Sequence, residues 1–363
     1  MRILNVILSL TGGGAERQLA SVAPELARRS HDVHVAFVYA GIYAERVSGS
    51  RCTTHHLAVS GKRDLRILMR SVSLTRRLRP DIVHTWLTHM DIVGGGTARL
   101  LRVPWVLSEQ SAGPLYPRTP LNSIRVVLGK GADLIVPNSP GGAEYWMSHG
   151  VEPSRIEIVP NSVPLEEIES AEPLRDSRIA ESDELVLCVG RLSPEKNIAA
   201  VIDAIQHVCR EREFAKLAIC GEGPLRADLQ ARVREAGLEE RILFAGFVPN
   251  VASWLKRSSA AVAVSLCEGH PGAVLEAMAA EVPVVVSDIP AYRSILDDGS
   301  ASFVPSGDPR EIAAAIIRTL DDRRSAAERA ARAKEGVRSL SLDATVTRYE
   351  EIYRRVLGGR GNR

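Results

Sequence analysis

Short apolar segments alternate with segments of helical periodicity along the first part of the chain, and this alternation limits the fold more than any other feature. Apolar strands separated by helices are typical of a parallel sheet that is covered by helices on both faces. The sequence therefore predicts an α/β domain. Its predicted strands lie at 3–8, 33–38, 81–85, 104–107 and 132–136, and its predicted helices at 15–29, 65–78, 92–101 and 121–129.

The pattern breaks at 160–183, which is polar and acidic and contains three prolines. A second alternation of strands and helices follows and continues to a final helix at 342–357. The sequence thus predicts two doubly wound, Rossmann-like α/β domains, at 1–163 and 184–340, with a linker at 164–183. Ligands of such domains bind at the carboxyl ends of the strands, and two domains that face each other form a cleft.

Length and charge limit the class of protein. A chain of 363 residues is comfortable for two domains, and 45% hydrophobic with 25% charged residues is ordinary for a globular protein. A net charge of +2 and only 4% aromatic residues argue against a nucleic-acid partner, which would need basic surfaces or stacking platforms.

The cysteines and the N-terminus indicate the compartment. The five cysteines include no C-x-x-C pair, which favours small buried side chains in a reducing environment. No apolar run approaches the about 20 residues that span a bilayer. The N-terminal segment lacks an A-x-A cleavage site and passes directly into glycines, so we expect a first strand there, not a signal peptide. A cytoplasmic protein is expected.

The segment 268–276 (EGHPGAVLE) carries the strongest chemical signal. It follows an apolar strand-like run at 259–266 and leads into a helix and a further strand at 282–286. Such a loop points backbone N–H groups and a helix N-terminus at a phosphate. Glu268 and Glu276 flank it as acceptors for hydroxyl groups, and a sugar diphosphate offers both kinds of group. The alternative is that Glu-Gly and Pro-Gly only form an ordinary loop that binds no ligand.

A glycine-rich turn at 12–14 follows the first predicted strand. It fails as a dinucleotide fingerprint, because Arg17 occupies the third glycine position and the second strand ends without an acidic residue. A loop whose backbone approaches a phosphate and a tight turn without a ligand both remain open.

Three further loops end strands of the second domain. Arg191 directly follows the strand in CVGRLSPEKN, and Lys196 stands beside a predicted helix start, so the two cations suit a diphosphate. The others are CGEGPLR at 220–226 and FAGFVPN at 244–250, the latter with Asn250 as a helix N-cap. We expect one sheet edge lined by free backbone donors, two cations and two carboxylates.

GRLSPEKN, GEGP, GFVPN and EGHPGAVLEAMAAEVPVVVSD, in this order and spacing, resemble the retaining nucleotide-sugar glycosyltransferases of the GT-B fold, family four. GGAER near the N-terminus and PNSVP at 160–164 fit as well, and the resemblance covers nearly the whole chain. It implies a nucleoside-diphosphate sugar as donor, with UDP the default, and no essential metal; no D-x-D cluster argues otherwise. It also implies that a closing helix, about 341–358, returns to the first domain.

The resemblance assigns roles to individual residues. Arg191 and Lys196 would bind the donor diphosphate and stabilise the leaving nucleotide. Glu268 would hold hydroxyls of the transferred sugar, and Glu276 those of the ribose; the predicted catalytic residues are Arg191, Lys196 and Glu268. The remaining implied donor contacts are Gly13, Gly14, Gly190, Val248 at the base, and His270, Pro271, Gly272, Ala273 and Val274 along the sugar and phosphates.

Two departures from the family pattern concern histidines. Gln110 stands where family members often carry a histidine near the reacting sugar, so imidazole chemistry is absent there. His84 and His89 lie at the end of the preceding strand, where they are expected either to contact a ligand or simply to cap the strand. His270 replaces the more usual Phe or Gly, which points to donor choice. The acceptor side is predicted to include Glu16, His84, His89 and Gln110.

The implied mechanism is a front-face substitution with retention of configuration, in which a diphosphate oxygen accepts the proton of the attacking hydroxyl. A nucleotide-sugar epimerase and a non-catalytic nucleotide-sugar-binding protein are the alternatives. Acceptors left open are a glycan, a lipid-linked acceptor and a small-molecule natural product, contacted by the loops at 39–51 and 111–119.

The segment 61–80 carries seven Lys and Arg residues against one Asp, on a helix with one apolar face. A solvated helix face is the simpler interpretation. Docking on an anionic membrane, at its cytoplasmic side, is the alternative.

Overall fold

The computed structural model describes residues 1–59, 61, 64–111, 116 and 119–359. Within it the chain forms two compact units, one made of 1–162 with 342–359 and the other of 163–341. Each unit contains one parallel six-stranded sheet with helices on both faces. The predicted α/β class with two doubly wound sheets is therefore confirmed.

The first sheet has the order β3-β2-β1-β4-β5-β6, which reverses between β1 and β4. This order is that of the dinucleotide-binding folds, and the reversal marks the usual ligand position. Its elements are β1 (Arg2–Ile7), α1 (Gly14–Arg28), β2 (Asp32–Phe37), α2 (Ile42–Ser48), β3 (Thr53–His56), α3 (Arg66–Leu78), β4 (Ile82–Trp86), α4 (Thr88–Leu101), β5 (Trp105–Glu109), α5 (Pro120–Gly129), β6 (Leu134–Pro137) and α6 (Pro140–Ser148).

The second sheet repeats this arrangement with the order β12-β11-β10-β7-β8-β9, which reverses between β7 and β10. Its elements are α7 (Leu165–Glu169), β7 (Glu184–Val189), α8 (Ile198–Glu211), β8 (Ala215–Cys220), α9 (Arg226–Glu235), β9 (Ile242–Gly246), α10 (Val251–Arg257), β10 (Ala260–Ala263), α11 (Gly272–Ala279), β11 (Val284–Ser287), α12 (Pro290–Arg293), β12 (Ser302–Val304), α13 (Pro309–Asp321) and α14 (Arg323–Val337).

The last helix, α15 (Leu342–Gly358), belongs to the first unit and packs against α1. Its stripe of Val346, Tyr349, Ile352, Tyr353 and Val356 is buried, as the helical periodicity predicts. The apolar stripe thus completes the core on the α1 side of the first sheet.

Alternation along the strands divides each core into two. In β1, Ile3 and Ile7 join the core under α1 and α15, whereas Leu4 and Val6 join the core under α3 and α4. Both faces of the strand are buried because helices cover both faces of the sheet, which explains the continuous apolar runs in the sequence.

Two parts of the sequence fold differently from expectation. The segment 53–56 (TTHH) is too polar to predict a strand, yet it forms β3 at the edge of the first sheet, where only one neighbour covers it. The segment predicted as a linker, 164–183, lies in the second unit, and Ile168 and Ile179 are buried in the core of that unit. Among the described residues, no helix is long and apolar enough to cross a membrane.

Candidate active site

A pocket open to solvent lies where the strand order of the second sheet reverses, at the carboxyl ends of β7 and β10. The two strands are direct neighbours, so the loops that follow them meet in space although they are about 75 residues apart. The pocket brings together six of the predicted site residues: Gly190, Lys196, Glu268, Pro271, Ala273 and Val274.

An ion pair lies inside this pocket. The Nζ atom of Lys196 lies 2.5 Å from Oε1 of Glu268, and both side chains line the cavity. The two residues come from different loops, because Lys196 precedes α8 and Glu268 follows β10. The family resemblance implies separate roles for Lys196 and Glu268, whereas in the structure they are direct partners.

Two hydroxyl groups that the sequence analysis missed fix the same carboxylate. Ser265 donates to Oε1 of Glu268 at 2.7 Å, and the Tyr292 hydroxyl lies 3.4 Å from that atom and 3.1 Å from Ser265 Oγ. Within the described residues, no group hydrogen-bonds the second carboxylate oxygen of Glu268. Glu268 is therefore held in place through one oxygen while the other can accept a bond from a ligand.

Arg191 supplies a second cation near the pocket. It follows β7 by two residues and is exposed, and its guanidinium forms no ion pair with any residue that the structure describes. An exposed, unpaired guanidinium at the carboxyl end of a strand can bind two oxygens of a phosphate.

The glycine loops of this edge are joined through their backbones, which corrects one expectation. A Cβ atom on Gly221 would lie 1.9 Å from the carbonyl oxygen of Gly190, so only glycine fits this approach. Three amides that were expected to be free donate instead to neighbouring loops: Gly190 to Cys220 O, Leu192 to Glu222 O, and Gly221 to Gly246 O. Their hydrogen bonds build the edge and are not available to a ligand.

Unsatisfied donors are found instead at the start of α11. The amide of Ala273 has no acceptor among the described residues, and the space beside Gly272 is open where a Cβ would stand. His270, two residues before Gly272 in the loop that leads into α11, has a buried Nε2 without a partner among the described residues, and burial lowers its pKa to about 4. His270 is thus a neutral ring at physiological pH, with one nitrogen that can bond to a ligand.

The two other predicted residues of this unit lie close to the same edge. Glu276 is buried in α11, one turn after Gly272. Val248 is half-buried in the loop between β9 and α10, and Asn250 of that loop caps α10 by accepting from Ser253 N. The expected N-cap at Asn250 is confirmed.

In the first unit, the two adjacent glycines at the start of α1, Gly13 and Gly14, differ in how much space surrounds them. A Cβ on Gly13 would lie 2.2 Å from a carboxylate oxygen of Glu16, and Glu16 in turn accepts from Ser9 Oγ at 2.8 Å. Nothing lies within 4 Å of the corresponding position on Gly14. Gly13 and Glu16 therefore build the turn, and Gly14 presents open backbone at the reversal of the sheet order.

The loop after β4 reaches the same reversal point and contains a strained residue. Leu87 has φ of 70° and ψ of 151°, a conformation that side chains rarely adopt and that clusters at functional sites. Its carbonyl accepts from the amides of Met90 and Asp91 at the start of α4. His89 lies in this first turn and is half-buried, beside the strained backbone.

His84 lies in the core of the first unit, which corrects the expectation that it contacts a ligand. Its Nδ1 bonds to Tyr353 OH at 2.7 Å and its Nε2 to Ser108 Oγ at 2.9 Å, with no exposed surface. Burial lowers the pKa of this ring to about 3. The histidine joins β4, β5 and α15 and is not accessible to a ligand.

Gln110 forms an amide pair with Asn138, a residue that the sequence analysis did not select. Asn138 Nδ2 donates to Gln110 Oε1 at 3.3 Å across the ends of β5 and β6. The pair leaves one buried donor, Gln110 Nε2, and one buried acceptor, Asn138 Oδ1, without partners. A hydroxyl group, which both donates and accepts, satisfies such a pair.

A buried cluster of charged side chains lies beneath Gln110 and fixes the end of β5. Arg125 donates to Asp91 at 2.7 Å and lies 2.9 Å from Glu109, the residue before Gln110; all three are buried. Burial raises the pKa of Asp91 to about 6, against the opposing effect of Arg125. Tyr116 donates to Glu109 at 2.5 Å, which anchors the predicted acceptor loop 111–119; 112–115 and 117–118 lie outside the described residues.

Among the residues that the structure describes, no three His, Cys, Asp or Glu side chains are grouped so that they could hold a metal ion. The charged side chains that line the pocket are Lys196 and Glu268, and Arg191 is exposed in the loop that follows β7.

Family models match both halves of the chain. The model described as glycosyl transferases group 1 matches residues 170–338, and the model described as glycosyltransferase family 4 matches residues 12–167.

Two curated relatives and one solved structure illustrate the similarity. The chain is 30% identical to the N-acetylgalactosamine-N,N'-diacetylbacillosaminyl-diphospho-undecaprenol 4-alpha-N-acetylgalactosaminyltransferase of Campylobacter jejuni, over 78% of this chain and 79% of the relative. It is 26% identical to the UDP-Gal:alpha-D-GlcNAc-diphosphoundecaprenol alpha-1,3-galactosyltransferase of Escherichia coli, over 72% of each. HepE of Anabaena, solved in complex with UDP and glucose, shares the fold with a TM-score of 0.85 at 18% identity, over 97% of this chain and 99% of that chain.

Proposed function

The chain belongs to the glycosyl transferases group 1 family. On this premise we propose that it transfers a hexose-type sugar from a nucleoside-diphosphate sugar, with UDP as the favoured nucleotide, to a hydroxyl group of a lipid-linked saccharide, with retention of configuration. The observation that carries the proposal is the Lys196–Glu268 pair in a pocket at the reversal point of the second sheet. A cation for phosphate and a carboxylate for hydroxyls are what a sugar diphosphate requires.

The residues of this pocket support a donor site. Lys196 and Arg191 bind the diphosphate, and the open amide of Ala273 donates to a phosphate or to the sugar. Glu268 accepts from sugar hydroxyls through the oxygen that Ser265 and Lys196 leave unbonded. Glu276 is assigned to the ribose and Val248 to the base, and UDP is favoured because one relative's name states UDP-Gal and HepE was solved with UDP.

The proposed reaction is a substitution on one face of the sugar. The bond from the anomeric carbon to the diphosphate oxygen breaks, and a bond to the acceptor oxygen forms on the same face. The acceptor's proton passes to the departing diphosphate oxygen. Lys196 and Arg191 stabilise the negative charge that develops on this oxygen, and such stabilisation is often the largest catalytic contribution. We propose that these two cations act in place of a metal ion.

The proposal of a lipid-linked acceptor is based on the names of the two relatives. Both names give a saccharide attached to diphospho-undecaprenol as the acceptor. The amides of Gln110 and Asn138, with their unpaired donor and acceptor, suit a hydroxyl of the bound sugars. Five cysteines that form no disulfide support a cytoplasmic location.

The experiment is a donor panel of UDP-, GDP- and ADP-sugars, each incubated with a short-chain prenyl-diphosphate saccharide and with EDTA present. Release of free nucleotide that depends on the acceptor, together with an α-linked product by NMR from an α-linked donor, supports the proposal. Product of inverted configuration refutes retention, and activity abolished by EDTA and restored by Mg²⁺ refutes metal independence.

Two outcomes would replace the proposed function itself. Epimerised nucleotide sugar without nucleotide release would identify an epimerase. Tight binding of a nucleotide sugar, with neither release nor epimerisation across the panel, would identify a binding protein.

A further inference from the structure

Helix α3 presents large apolar side chains to solvent at its N-cap residue and in its first turn. Leu65, Leu68 and Met69, here called the apolar face of α3, are 85%, 45% and 64% exposed. Tyr39, 40% exposed, lies near Gly61, because its hydroxyl would be 3.6 Å from a Cβ on that glycine, and the carbonyl of Gly61 accepts from the amide of Asp64 just before α3. Single exposed apolar residues are ordinary, but a cluster of them on one helix end marks an interaction surface.

This face is not part of the core of the unit. The opposite side of α3 is buried through Ile67, Ser71 and Leu74. Thr97 of α4 donates to Ser71 Oγ at 3.1 Å, which fixes the rotation of α3 against its neighbour. The apolar face therefore points outward because the helix is held by its other side.

Basic side chains surround the apolar face. The described segment 64–79 carries five arginines and one aspartate, Asp64, which forms an ion pair with Arg66 at 2.6 Å. The other arginines of α3 and its C-cap form no ion pair with a described residue: Arg70, Arg76, Arg77 and Arg79. Lys62 and Arg63, which the sequence analysis includes in this basic segment, lie outside the described residues.

We propose that α3 docks the first unit on the surface of an anionic lipid bilayer. The apolar face enters the boundary between headgroups and acyl chains, and the unpaired arginines contact the anionic headgroups. A helix with exposed apolar side chains at one end and unneutralised positive charge along its length fits this surface by charge and by polarity. A protein partner would need a complementary acidic surface, and a second copy of this face would oppose arginine to arginine.

The inference of lipid docking is argued from the surface of α3 alone. Its relevance to catalysis rests on the proposed function, since a lipid-linked acceptor lies in a membrane. Docking and catalysis can fail separately. Donor hydrolysis, measured without vesicles, reports the pocket around Lys196, whereas vesicle sedimentation reports α3.

The test uses the full chain and vesicles of phosphatidylcholine, with and without about one third phosphatidylglycerol. Leu65→Ser with Met69→Ser removes the apolar contact, and Arg70→Glu with Arg76→Glu reverses two charges. Matched controls on the second unit are Phe214→Ser, at an exposed apolar residue, and Arg310→Glu with Arg318→Glu, at exposed arginines of α13. Circular dichroism melting verifies that each variant is folded.

We expect wild type to sediment with anionic vesicles only, and each α3 variant to bind at least about tenfold more weakly while the controls bind like wild type. Equal sedimentation with neutral vesicles, or no sedimentation at all, overturns the proposal. Equal losses in the control variants overturn it as well, since net charge alone would then explain binding. If light scattering shows a dimer that the Leu65/Met69 variant dissociates without loss of lipid binding, the face belongs to a second copy.

Discussion

Lys196 and Glu268 form an ion pair inside the candidate pocket, with Nζ and Oε1 2.5 Å apart. The cation assigned to the diphosphate is thus neutralised by the carboxylate assigned to the sugar. We infer that donor binding replaces this contact, since a diphosphate carries more negative charge than one carboxylate. The pair keeps the pocket from holding an isolated charge before the donor arrives.

Replacing Lys196 tests whether its charge acts on the leaving group. We expect Lys196→Ala to lower kcat about 100-fold or more, because the leaving oxygen loses one of the two positive charges proposed to stabilise it. Donor affinity should fall less, since Arg191 remains. Stopped-flow or steady-state nucleotide release gives kcat, and calorimetry gives the Kd of UDP.

The control for this variant is Lys334→Ala, which removes a comparable ion pair, with Glu281 at 3.1 Å, at the surface of the same unit. Surface pairs contribute about 0–1 kcal/mol, so this change should leave kcat and folding near wild type. Turnover of Lys196→Ala within a few-fold of wild type, with UDP binding intact, would refute the assigned role.

Gly14 offers a test on the first unit that separates folding from ligand approach. It is the first residue of α1, and nothing lies within 4 Å of the position that an added methyl group would take, so Gly14→Ala should fold normally. If the donor phosphates approach this backbone, the added methyl displaces them, and we expect kcat/KM to fall at least about tenfold. Melting curves and nucleotide release measure the two effects.

Gly96 is the matched control, because it lies inside α4 and also has nothing within 4 Å of the added methyl. Gly96→Ala should keep full activity and raise the free energy of unfolding by about 0.5–1 kcal/mol through helix propensity. Unchanged kcat/KM in Gly14→Ala would remove this glycine from the donor site.

The sequence was sufficient to predict the features that depend on local periodicity. Strands buried on both faces, and loops at their carboxyl ends, determine where Lys196 and Glu268 stand, because neighbouring parallel strands end at the same edge of the sheet. The strand β3 was missed because an edge strand needs no apolar pattern, and its residues are two threonines and two histidines.

Features that depend on distant partners could not be predicted from sequence. His84 bonds to Tyr353, 269 residues later, so nothing near it in sequence reveals that its ring is buried. Asn138 meets Gln110 only because β5 and β6 are neighbours in register. The backbone hydrogen bonds between the glycine loops also depend on which strands are neighbours in the sheet. The sequence of a glycine-rich turn is the same whether its amides are free or hydrogen-bonded.

The amide pair of Gln110 and Asn138 predicts a defect in binding. We expect Gln110→Ala and Asn138→Ala each to raise the KM for the saccharide acceptor about tenfold, with kcat within a few-fold of wild type. Each variant loses one hydrogen bond to a hydroxyl group of that acceptor. Asn122→Ala is the control: Asn122 also has one bonded and one unpaired amide atom, but lies on α5 and bonds to Tyr145. Wild-type KM in both variants would mean that water, and not substrate, satisfies the pair.

The buried ring of His84 predicts how stability depends on pH. Its pKa is about 3 in the folded chain and 6.5 as the ordinary value, so below pH 6.5 the unfolded chain binds a proton that the folded chain excludes. Its contribution to stability is complete above pH 6.5 and is lost as the pH falls toward 3. Between pH 8 and pH 5, we expect this residue alone to lower the free energy of unfolding by about 2 kcal/mol.

Urea titrations at both pH values measure this contribution as a difference between wild type and His84→Gln. Tryptophan fluorescence follows mainly the first unit, because three of the four tryptophans, Trp86, Trp105 and Trp146, lie in it. His84→Gln keeps a hydrogen-bonding side chain without a titrating ring, so its free energy of unfolding should fall less toward pH 5, whatever its value at pH 8. His207→Gln, on α8 of the second unit, should retain the wild-type dependence. Parallel pH profiles for wild type and His84→Gln would mean that the ring is protonated in the folded chain and that the core of this unit admits its charge.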